Sequence, residues 1–171
     1  YDAMGRMVEQ SESDGTVKAY QYDANGNRTQ FFLVCNETEE LNQSYIYDPM
    51  NRLVEMGSDN ATIVKYAYDA NGNRTMMQCP QSGVYTGYEY NRAGLVIQVD
   101  NYVGTANPDY LTYSYYLDGN IHNMDDIEGA AHVHRYDTMG RVFEDEDYRE
   151  GGYTKEYTFD RFGNRESMLV Y

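Results

Sequence analysis

The chain has 171 residues, including 20 Tyr and no Trp, and its formal net charge is −15. This charge argues against sequence-independent binding to nucleic acid or to anionic membrane, because both require clustered Lys and Arg. The sequence has no apolar run of about 18 residues, so it predicts no transmembrane helix and no membrane insertion.

A six-residue phrase, Tyr-Asp-x-x-Gly-(Arg/Asn), recurs every 21 to 25 residues. Its eight copies begin at Tyr1, Tyr22, Tyr47, Tyr68, Tyr90, Tyr115, Tyr136 and Phe159. Copies with Arg at the sixth position alternate with copies that have Asn there. Two successive phrases therefore form the true repeating unit. Because the copies fill the chain, its function must follow from a repeated structural unit.

Each phrase lies between two stretches that favour β-strands. Tyr20 and Tyr22 are typical of the residues before the turn, since a spacing of two places both rings on one face of a strand. Asn25-Gly26 then predicts a tight hairpin turn, because both residues tolerate positive φ. A second set of turns is predicted between the phrases, at Ser13–Gly15, Ser58–Asn60, Pro80–Gly83, Glu128–Gly129 and Glu150–Gly152.

The architecture is expected to depend on the aromatic, acidic, glycine and basic residues of the phrases. These candidate structural residues are Tyr22, Asp23, Gly26, Arg28, Tyr47, Asp48, Arg52, Tyr68, Asp69, Gly72, Arg74, Tyr136, Asp137, Gly140 and Arg141. Asp and Arg flank the same turn, so we expect Asp23 to pair with Arg28, and Asp69 with Arg74. On an exposed turn such a pair fixes register more than it adds stability.

The pattern predicts about 15 strands of roughly 6 to 9 residues each. Nothing in the sequence offers helices to cover a face, and open sheets of this extent rarely stay open. We therefore expect an all-β fold of tandem antiparallel β-hairpin repeats. These would form a continuous curled β-strip, which is an arc or part of a hollow spiral shell.

The phrase, the preceding Tyr-x-Tyr and the spacing together resemble the Rhs/YD-repeat family over essentially all 171 residues. That family includes bacterial polymorphic toxins, components of insecticidal toxin complexes, wall-associated proteins and the animal teneurins. The resemblance implies a long β-strip that spirals into a hollow shell, often around a C-terminal toxin domain. Residues 1–171 are then a single array of about eight repeats, expected to be a fragment of a longer protein.

Three copies depart from the phrase. Asn51 replaces the turn Gly, and the copies from Tyr90 and Tyr115 are degenerate, with Asn91 and Tyr116 at the Asp position. We expect these changes to loosen the turns. The family's Asp-based self-cleavage segment has no counterpart, and Asp48-Pro49 lies inside a repeat. We therefore predict no catalytic residue, no cofactor and no enzymatic activity.

His132 and His134 alternate with Tyr136, and His122, Asp125 and Asp126 lie nearby in sequence. This makes a metal site conceivable. However, His134 stands where other copies have Tyr, which favours a substitute ring in the aromatic row, so no metal site is predicted. Cys35 and Cys79 follow equivalent phrases at similar offsets, which leaves open both a disulfide and two unpaired thiols.

Two functions remain open. In the first, the chain is part of a secreted or cell-surface bacterial β-shell that encloses and delivers a C-terminal toxin or other cargo. In the second, its Tyr rows bind carbohydrate or a partner protein at a cell surface. Tyr rings packed at low exposure favour the shell, and an open ladder of rings favours binding. The net acidity fits either a soluble extracellular surface or a lining for basic cargo, and unpaired end strands allow self-association.

Overall fold

The computed structural model describes residues 1–104, 106, 109–129 and 131–171, and all the regular structure within them is β. The strands are β1 (Glu9–Ser11), β2 (Thr16–Tyr22), β3 (Arg28–Cys35), β4 (Thr38–Tyr47), β5 (Leu53–Ser58), β6 (Ala61–Tyr68), β7 (Arg74–Cys79), β8 (Val84–Tyr90), β9 (Val96–Val103), β10 (Asp109–Tyr115), β11 (Ile121–Asp126), β12 (Ala131–Tyr136), β13 (Val142–Asp147), β14 (Thr154–Phe159) and β15 (Arg165–Val170).

Strands β1 to β7 of the first unit follow one another in chain order with antiparallel pairing between neighbours, and strands β9 to β15 of the second unit do the same. The predicted all-β fold of tandem antiparallel hairpins is confirmed. The described part of the chain contains no helix long and apolar enough to cross a membrane.

The chain divides into two compact units, residues 1–85 and 86–171, with the boundary inside β8. Each unit contains four of the eight phrases. The interpretation of residues 1–171 as a single array stays a prediction.

In the first unit, phrase turns join β2 to β3, β4 to β5 and β6 to β7, and the remaining turns join the alternate strand pairs. In the second unit, phrase turns join β10 to β11, β12 to β13 and β14 to β15. Because consecutive strands run antiparallel, the phrase turns within each unit lie along one edge of its sheet, opposite the other turns.

The described residues of the two units form no conventional hydrophobic core. Among the described residues, Val64, at 8% exposure, is the one buried apolar side chain, and no large side chain is fully buried. Most strand residues are half-buried. Stability must therefore come from the backbone ladders, the turns and cross-strand side-chain pairs, rather than from a central core.

The phrase turn differs from the expected two-residue hairpin. Gly26 adopts a φ of 92°, but Asn25 does not adopt a positive φ. The Gly26 N–H donates to the Asp23 carbonyl at 3.2 Å, and the Asp23 N–H donates to the Asn27 carbonyl at 2.9 Å. The observed turn is therefore a β-turn that ends in a glycine with positive φ. It is not the expected two-residue turn, in which Asn and Gly would both have positive φ.

A register shift accompanies the phrase turns. In the copy from Tyr22, Gln21 pairs with Gln30 and Tyr22 pairs with Arg28. One residue of β3 between these two pairs therefore has no partner on β2. The same shift occurs at Tyr47, Tyr68, Tyr115, Tyr136 and Phe159. The phrase thus encodes a β-bulge as well as a turn.

The predicted intervening turns occur, with positive φ at Gly15, Asp59, Asn60, Gly83, Gly129 and Gly151. Two further turns were not predicted from the sequence: Asn36 and Glu37 adopt φ values of 49° and 65° between β3 and β4, and Gly104 adopts a φ of 61° directly after β9. Asn is among the residues that tolerate a positive φ, but Glu is not, so the Asn-Glu pair only weakly predicts a turn.

Candidate functional site: the phrase turns

The predicted motif residues occupy equivalent places in their turns. Tyr22, Tyr47, Tyr68 and Tyr136 end strands β2, β4, β6 and β12. The glycines Gly26, Gly72 and Gly140 have φ values of 92°, 93° and 75°. Arg28 and Arg74 begin β3 and β7, whereas Arg52 and Arg141 precede β5 and β13.

Each phrase aspartate caps its own turn, in an arrangement that we call the aspartate cap. In the copy from Tyr47, Asp48 Oδ1 accepts hydrogen bonds from the N–H groups of Met50 at 2.8 Å and Arg52 at 3.0 Å. Its Oδ2 accepts from Arg52 Nε at 2.7 Å. Asp2 with Arg6, and Asp137 with Arg141, repeat this arrangement. Asp therefore satisfies turn amides that the strand ladder leaves free.

In phrases that end in Gly-Asn, an amide replaces the guanidinium. Asp23 Oδ1 accepts from the N–H groups of Asn25 and Asn27, and its Oδ2 accepts from Asn27 Nδ2 at 2.9 Å. The predicted pairing of Asp23 with Arg28 is therefore wrong. Arg28 lies one residue beyond the turn, where its guanidinium contacts Tyr45 instead.

Asp69 has the same partners as Asp23 in its own copy, because Asn71 and Asn73 provide the N–H groups and Asn73 Nδ2 provides the side-chain bond. The Arg74 guanidinium lies 5.7 Å from the centre of the Tyr66 ring. The side chain of the sixth phrase residue, Asn73, therefore binds the Asp69 carboxylate in the way that Arg52 binds Asp48 in its own phrase.

These hydrogen bonds favour the ionised carboxylates. The backbone hydrogen bond from Arg52 lowers the pKa of Asp48, and the side-chain bond from Asn27 lowers the pKa of Asp23. The pKa of Asp137 is lowered first by the Arg141 side chain and then by its N–H. Donors aimed at a charged oxygen stabilise the charge, which accounts for the shared direction.

Successive phrases are joined by what we call the arginine bridge. Arg52 Nη1 donates to the carbonyl of Asp69 at 3.1 Å, and its guanidinium lies 4.7 Å from the centre of the Tyr68 ring. The Tyr68 hydroxyl in turn donates to the Leu53 carbonyl at 2.8 Å. Through these contacts a single Arg braces its own turn and the next phrase.

Arg6 makes the same bridge to the copy from Tyr22. Its Nη1 donates to the Asp23 carbonyl at 3.1 Å, its guanidinium lies 4.7 Å from the ring centre, and the Tyr22 hydroxyl bonds the Met7 carbonyl. Arg141 stacks 4.4 Å from the ring centre of Phe159, which has no hydroxyl to return the bond. The sequence showed the alternation of phrase types but not this connection.

Asn51 does not loosen its turn, contrary to expectation. It adopts a φ of 62°, which Asn tolerates, and its N–H donates to the Asp48 carbonyl at 2.9 Å as a phrase Gly does. Its Oδ1 also accepts hydrogen bonds from Asn25 Nδ2 at 3.0 Å and Asn27 Nδ2 at 2.8 Å. Replacement of Gly therefore adds a link between neighbouring turns.

The two degenerate copies keep part of the cap. Asn91 Oδ1 accepts from the N–H groups of Ala93 and Leu95 at 2.9 and 3.0 Å, as an Asp would. In the copy from Tyr115, Asp118 bonds the backbone and side chain of Asn120, while the Tyr116 hydroxyl donates to the His134 carbonyl. Both turns keep a side-chain acceptor for their N–H groups: the amide oxygen of Asn91 in one, and the carboxylate of Asp118, two positions later in the phrase, in the other.

In four of the Tyr-x-Tyr pairs the first aromatic residue lies opposite a Met on the next strand, whereas Tyr20 lies opposite Phe31. The directly opposed pairs are Tyr45 with Met56, Tyr66 with Met77, Tyr113 with Met124 and Tyr157 with Met168. Thioether and ring contacts are favourable, and such opposed pairs stabilise a sheet. This accounts for part of the chain's unusual content of nine Met.

One copy replaces that apolar pair by an ionisable one. His134 stands opposite Asp145, with Nδ1 3.2 Å from Oδ1, and neither buried atom makes a well-directed hydrogen bond. Next to it, His132 stands opposite Asp147, whose carboxylate is bound by the Arg149 guanidinium. That hydrogen bond is the main cause that lowers the pKa of Asp147 to about 2.

The acids that face the two histidines are therefore not Asp125 and Asp126, their neighbours in sequence. Across the described residues, no group of three His, Cys, Asp or Glu side chains is arranged to hold a metal ion. Cys35 and Cys79 are both free thiols.

Comparisons with known proteins agree with a repeat structure. The RHS Repeat family model matches residues 1–30, and a search of the curated proteins found no match. Among solved structures, the chain is similar to the Photorhabdus luminescens Tc holotoxin pore with a TccC3 mutation, at a TM-score of 0.73 and 16% identity. That likeness covers 91% of this chain and 9% of the other.

Two further structures share the fold. The TcdB2-TccC3-TEV structure gives a TM-score of 0.76 at 16% identity, over 94% of this chain and 9% of the other. The TcdB2-TccC3-Cdc42 structure gives 0.76 at 12% identity, over 99% of this chain and 10% of the other. The chain thus spans about a tenth of the length of these proteins.

Tandem hairpins, each closed by a capped and bulged turn, define an all-β repeat protein. The repeat-model match and the structural likeness support its assignment to the Rhs/YD-repeat family, as the phrase indicated. The family model covers residues 1–30, and over the rest of the chain the likeness is one of fold.

Proposed function

We propose that this chain forms part of a β-shell wall that encloses and delivers a C-terminal toxin or other cargo of a secreted bacterial Rhs protein. The observation that carries the proposal is the recurrence of one turn construction in both units. A strip built from identical hairpins can be extended by adding repeats, and extension is what a large enclosure needs.

The continuous curled strip and the single array over residues 1–171 belong to this proposal. Sheets with many strands tend to curl, and the bulge at the phrase turns increases local twist. In this role the aspartate caps and arginine bridges are structural, so the motif residues from Tyr22 to Arg141 set strand register and hold neighbouring turns together. No step of the role requires a catalytic residue or a cofactor.

The similar structures TcdB2-TccC3-TEV and TcdB2-TccC3-Cdc42 support a partnership between shell and cargo, because each joins TcdB2 and TccC3. By analogy, the partner of this chain is the remainder of its own polypeptide or an enclosed toxin domain. The net charge of −15 would suit a lining that does not bind nucleic acid and that tolerates basic cargo.

The experiment is protease protection in the full-length protein that contains this chain. We expect the segment after the repeats to survive protease in the intact protein and to be digested when it is expressed alone. A variant with Asp48→Ala and Asp137→Ala, which removes two aspartate caps, should make the cargo accessible. Asp48→Asn with Asp137→Asn is the matched control, since Asn91 shows that an amide can keep the turn bonds. Equal digestion of the enclosed and isolated segments would contradict enclosure.

The alternative is a carbohydrate- or protein-binding module at the cell surface. The Tyr rings of the rows are half-buried rather than open, and Arg guanidinium groups cover several of them, at Tyr22, Tyr45, Tyr66, Tyr68 and Tyr157. This leaves less ring surface for a sugar and favours the shell. Specific binding on a glycan array by the purified chain would reverse that preference.

A further inference from the structure

The two Asn-Gly steps of the chain occur in chemically identical phrases but in different surroundings. Asn25-Gly26 and Asn71-Gly72 both follow Tyr-Asp-Ala, and all four residues are exposed. In both turns the Gly N–H donates to the carbonyl of the phrase Asp, at 3.2 and 3.1 Å. The backbone of the two turns therefore gives no reason for them to react differently.

The difference lies in the Asn side chains. Asn25 Nδ2 donates to Asn51 Oδ1 at 3.0 Å, which holds the carboxamide against the neighbouring turn. The Asn71 side chain makes no hydrogen bond to any described residue, although its backbone N–H bonds Asp69. In sequence, the phrase that follows Asn71 has Gly94 at the position of Asn51, and Gly has no side chain to accept a bond.

We propose that Asn71 is a site of spontaneous deamidation, and that Asn51 protects the equivalent Asn25. In this reaction the backbone nitrogen of Gly72, having lost its proton, attacks Cγ of Asn71. The bond from Cγ to Nδ2 breaks and ammonia leaves, which closes a five-membered succinimide. Water then opens the ring to Asp or to isoaspartate, so one water is consumed and one ammonia is released.

The following glycine makes the step accessible. Gly72 has no side chain to block the approach, and nothing lies within 4 Å of the position where a Cβ would stand. The attack also requires the carboxamide to rotate towards the Gly nitrogen. Asn71 is free to do so, whereas Asn25 must first break its bond to Asn51.

The product would change one turn selectively. Isoaspartate at position 71 adds a methylene to the main chain between Asp69 and Asn73. The Asp69 N–H donates the closing bond to the Asn73 carbonyl, and the Asn73 N–H donates the cap bond to Asp69 Oδ1. The aspartate cap of that turn would lose its geometry, and the β6–β7 hairpin would lose its bulge and register. Deamidation would thus disrupt the turn at Asn71-Gly72 before the equivalent turn at Asn25-Gly26.

The test is incubation of the folded chain at neutral to mildly alkaline pH, with peptide mapping by mass spectrometry over time. We expect Asn71 to deamidate about fivefold faster than Asn25, which corresponds to about 1 kcal/mol for the hydrogen bond that Asn25 must break. In denaturant, the two rates should become equal because the flanking sequences match. Equal rates in the folded wild type, or a faster rate at Asn25, would overturn the proposal.

Asn51→Gly is the decisive variant. It restores the common phrase residue at a φ of 62°, where Gly is unstrained, so the turn should still form. We expect the rate at Asn25 to rise to that at Asn71, while the rate at Asn71 stays unchanged. Circular dichroism would verify folding. A second variant, Asn51→Asp, keeps an oxygen acceptor and should continue to protect Asn25; loss of protection there would contradict the role of the hydrogen bond.

Discussion

At the scale of single residues, the phrase Asp is the most informative position. Its carboxylate accepts two turn N–H groups and one side-chain donor, whereas Tyr and Gly contribute a ring and a left-handed φ. The same contacts recur with Arg or Asn as the donor. The acid is therefore selected for its acceptor geometry, and the basic residue is exchangeable.

The first prediction concerns Asp48. Asp48→Ala removes three hydrogen bonds, and Asp48→Asn keeps the two backbone bonds but loses the ion pair with Arg52. We expect the melting temperature to fall slightly for Asn and clearly further for Ala, as measured by circular dichroism. If Asn were as damaging as Ala, the ion pair rather than the backbone cap would dominate.

The second prediction concerns pH. The pKa values of Asp2, Asp23, Asp48, Asp69, Asp137 and Asp160 all lie below the usual 3.8. A depressed pKa stabilises the fold above the unfolded value, and this stability is lost as pH falls through the folded value. Urea unfolding should give constant stability from pH 7 to about pH 5 and a fall below about pH 4. A maximum near pH 4 would contradict this assignment.

At the scale of the hairpin, the arginine bridge links phrases that the sequence shows only as alternating types. The bridge explains the alternation, because an Arg phrase reaches the carbonyl of the following phrase, while the Asn phrase receives it. The repeat is thus two hairpins long for a physical reason.

The third prediction uses a natural gap in this arrangement. Phe159 stacks on Arg141 as Tyr68 stacks on Arg52, but it lacks the hydroxyl that bonds a strand carbonyl. Phe159→Tyr should donate to the Val142 carbonyl and raise the free energy of unfolding by about 1 kcal/mol, the usual net value of one hydrogen bond. The reciprocal Tyr68→Phe should lower it by a similar amount in urea unfolding. If neither variant changed the free energy of unfolding, the hydroxyl bond would contribute no net stability.

The fourth prediction concerns His134 and Asp145, which replace the Tyr-Met pair of other copies. The double variant His134→Tyr with Asp145→Met should raise the free energy of unfolding by about 1 kcal/mol, since it exchanges poorly bonded polar atoms for an apolar pair. His134→Tyr alone should gain less, because Asp145 Oδ1, which is buried without a hydrogen bond, would then face an aromatic ring. A double-mutant cycle measures this coupling, and additive effects would exclude it.

At the scale of the whole molecule, the described residues form many strands and include almost no buried apolar side chain. Stability must therefore spread over similar hairpins, and the exposed strand edges matter more than any centre. The last strand, β15, is exposed throughout, with Met168, Leu169 and Val170 at 48%, 52% and 56% exposure.

The fifth prediction follows from that edge. The isolated 171-residue chain should self-associate through the outer edge of β15 at high concentration, because an edge strand with exposed apolar residues is a template for pairing. Leu169→Lys should reduce association in sedimentation velocity. Gln81→Lys, the same added charge in an exposed turn, should not. Equal effects of the two variants would point to net charge instead of the edge.

The sequence by itself determined the fold class, the number of strands and the family resemblance, because period-two aromatic spacing and glycine turns are local signals. It also placed the other turns, apart from Asn36-Glu37, whose Glu gives no turn signal, and the turn at Gly104 after β9. It misjudged Asn25, Asn51 and the partner of Asp23, since each depends on which backbone groups the bulge leaves free.

Only the tertiary structure decided which side chains meet across strands and between turns. The arginine bridge, the Tyr-Met rows and the opposition of His134 to Asp145 all join residues that are 11 to 17 positions apart or that occupy neighbouring hairpins. Such contacts depend on strand register, and a bulge of one residue changes every pairing beyond it.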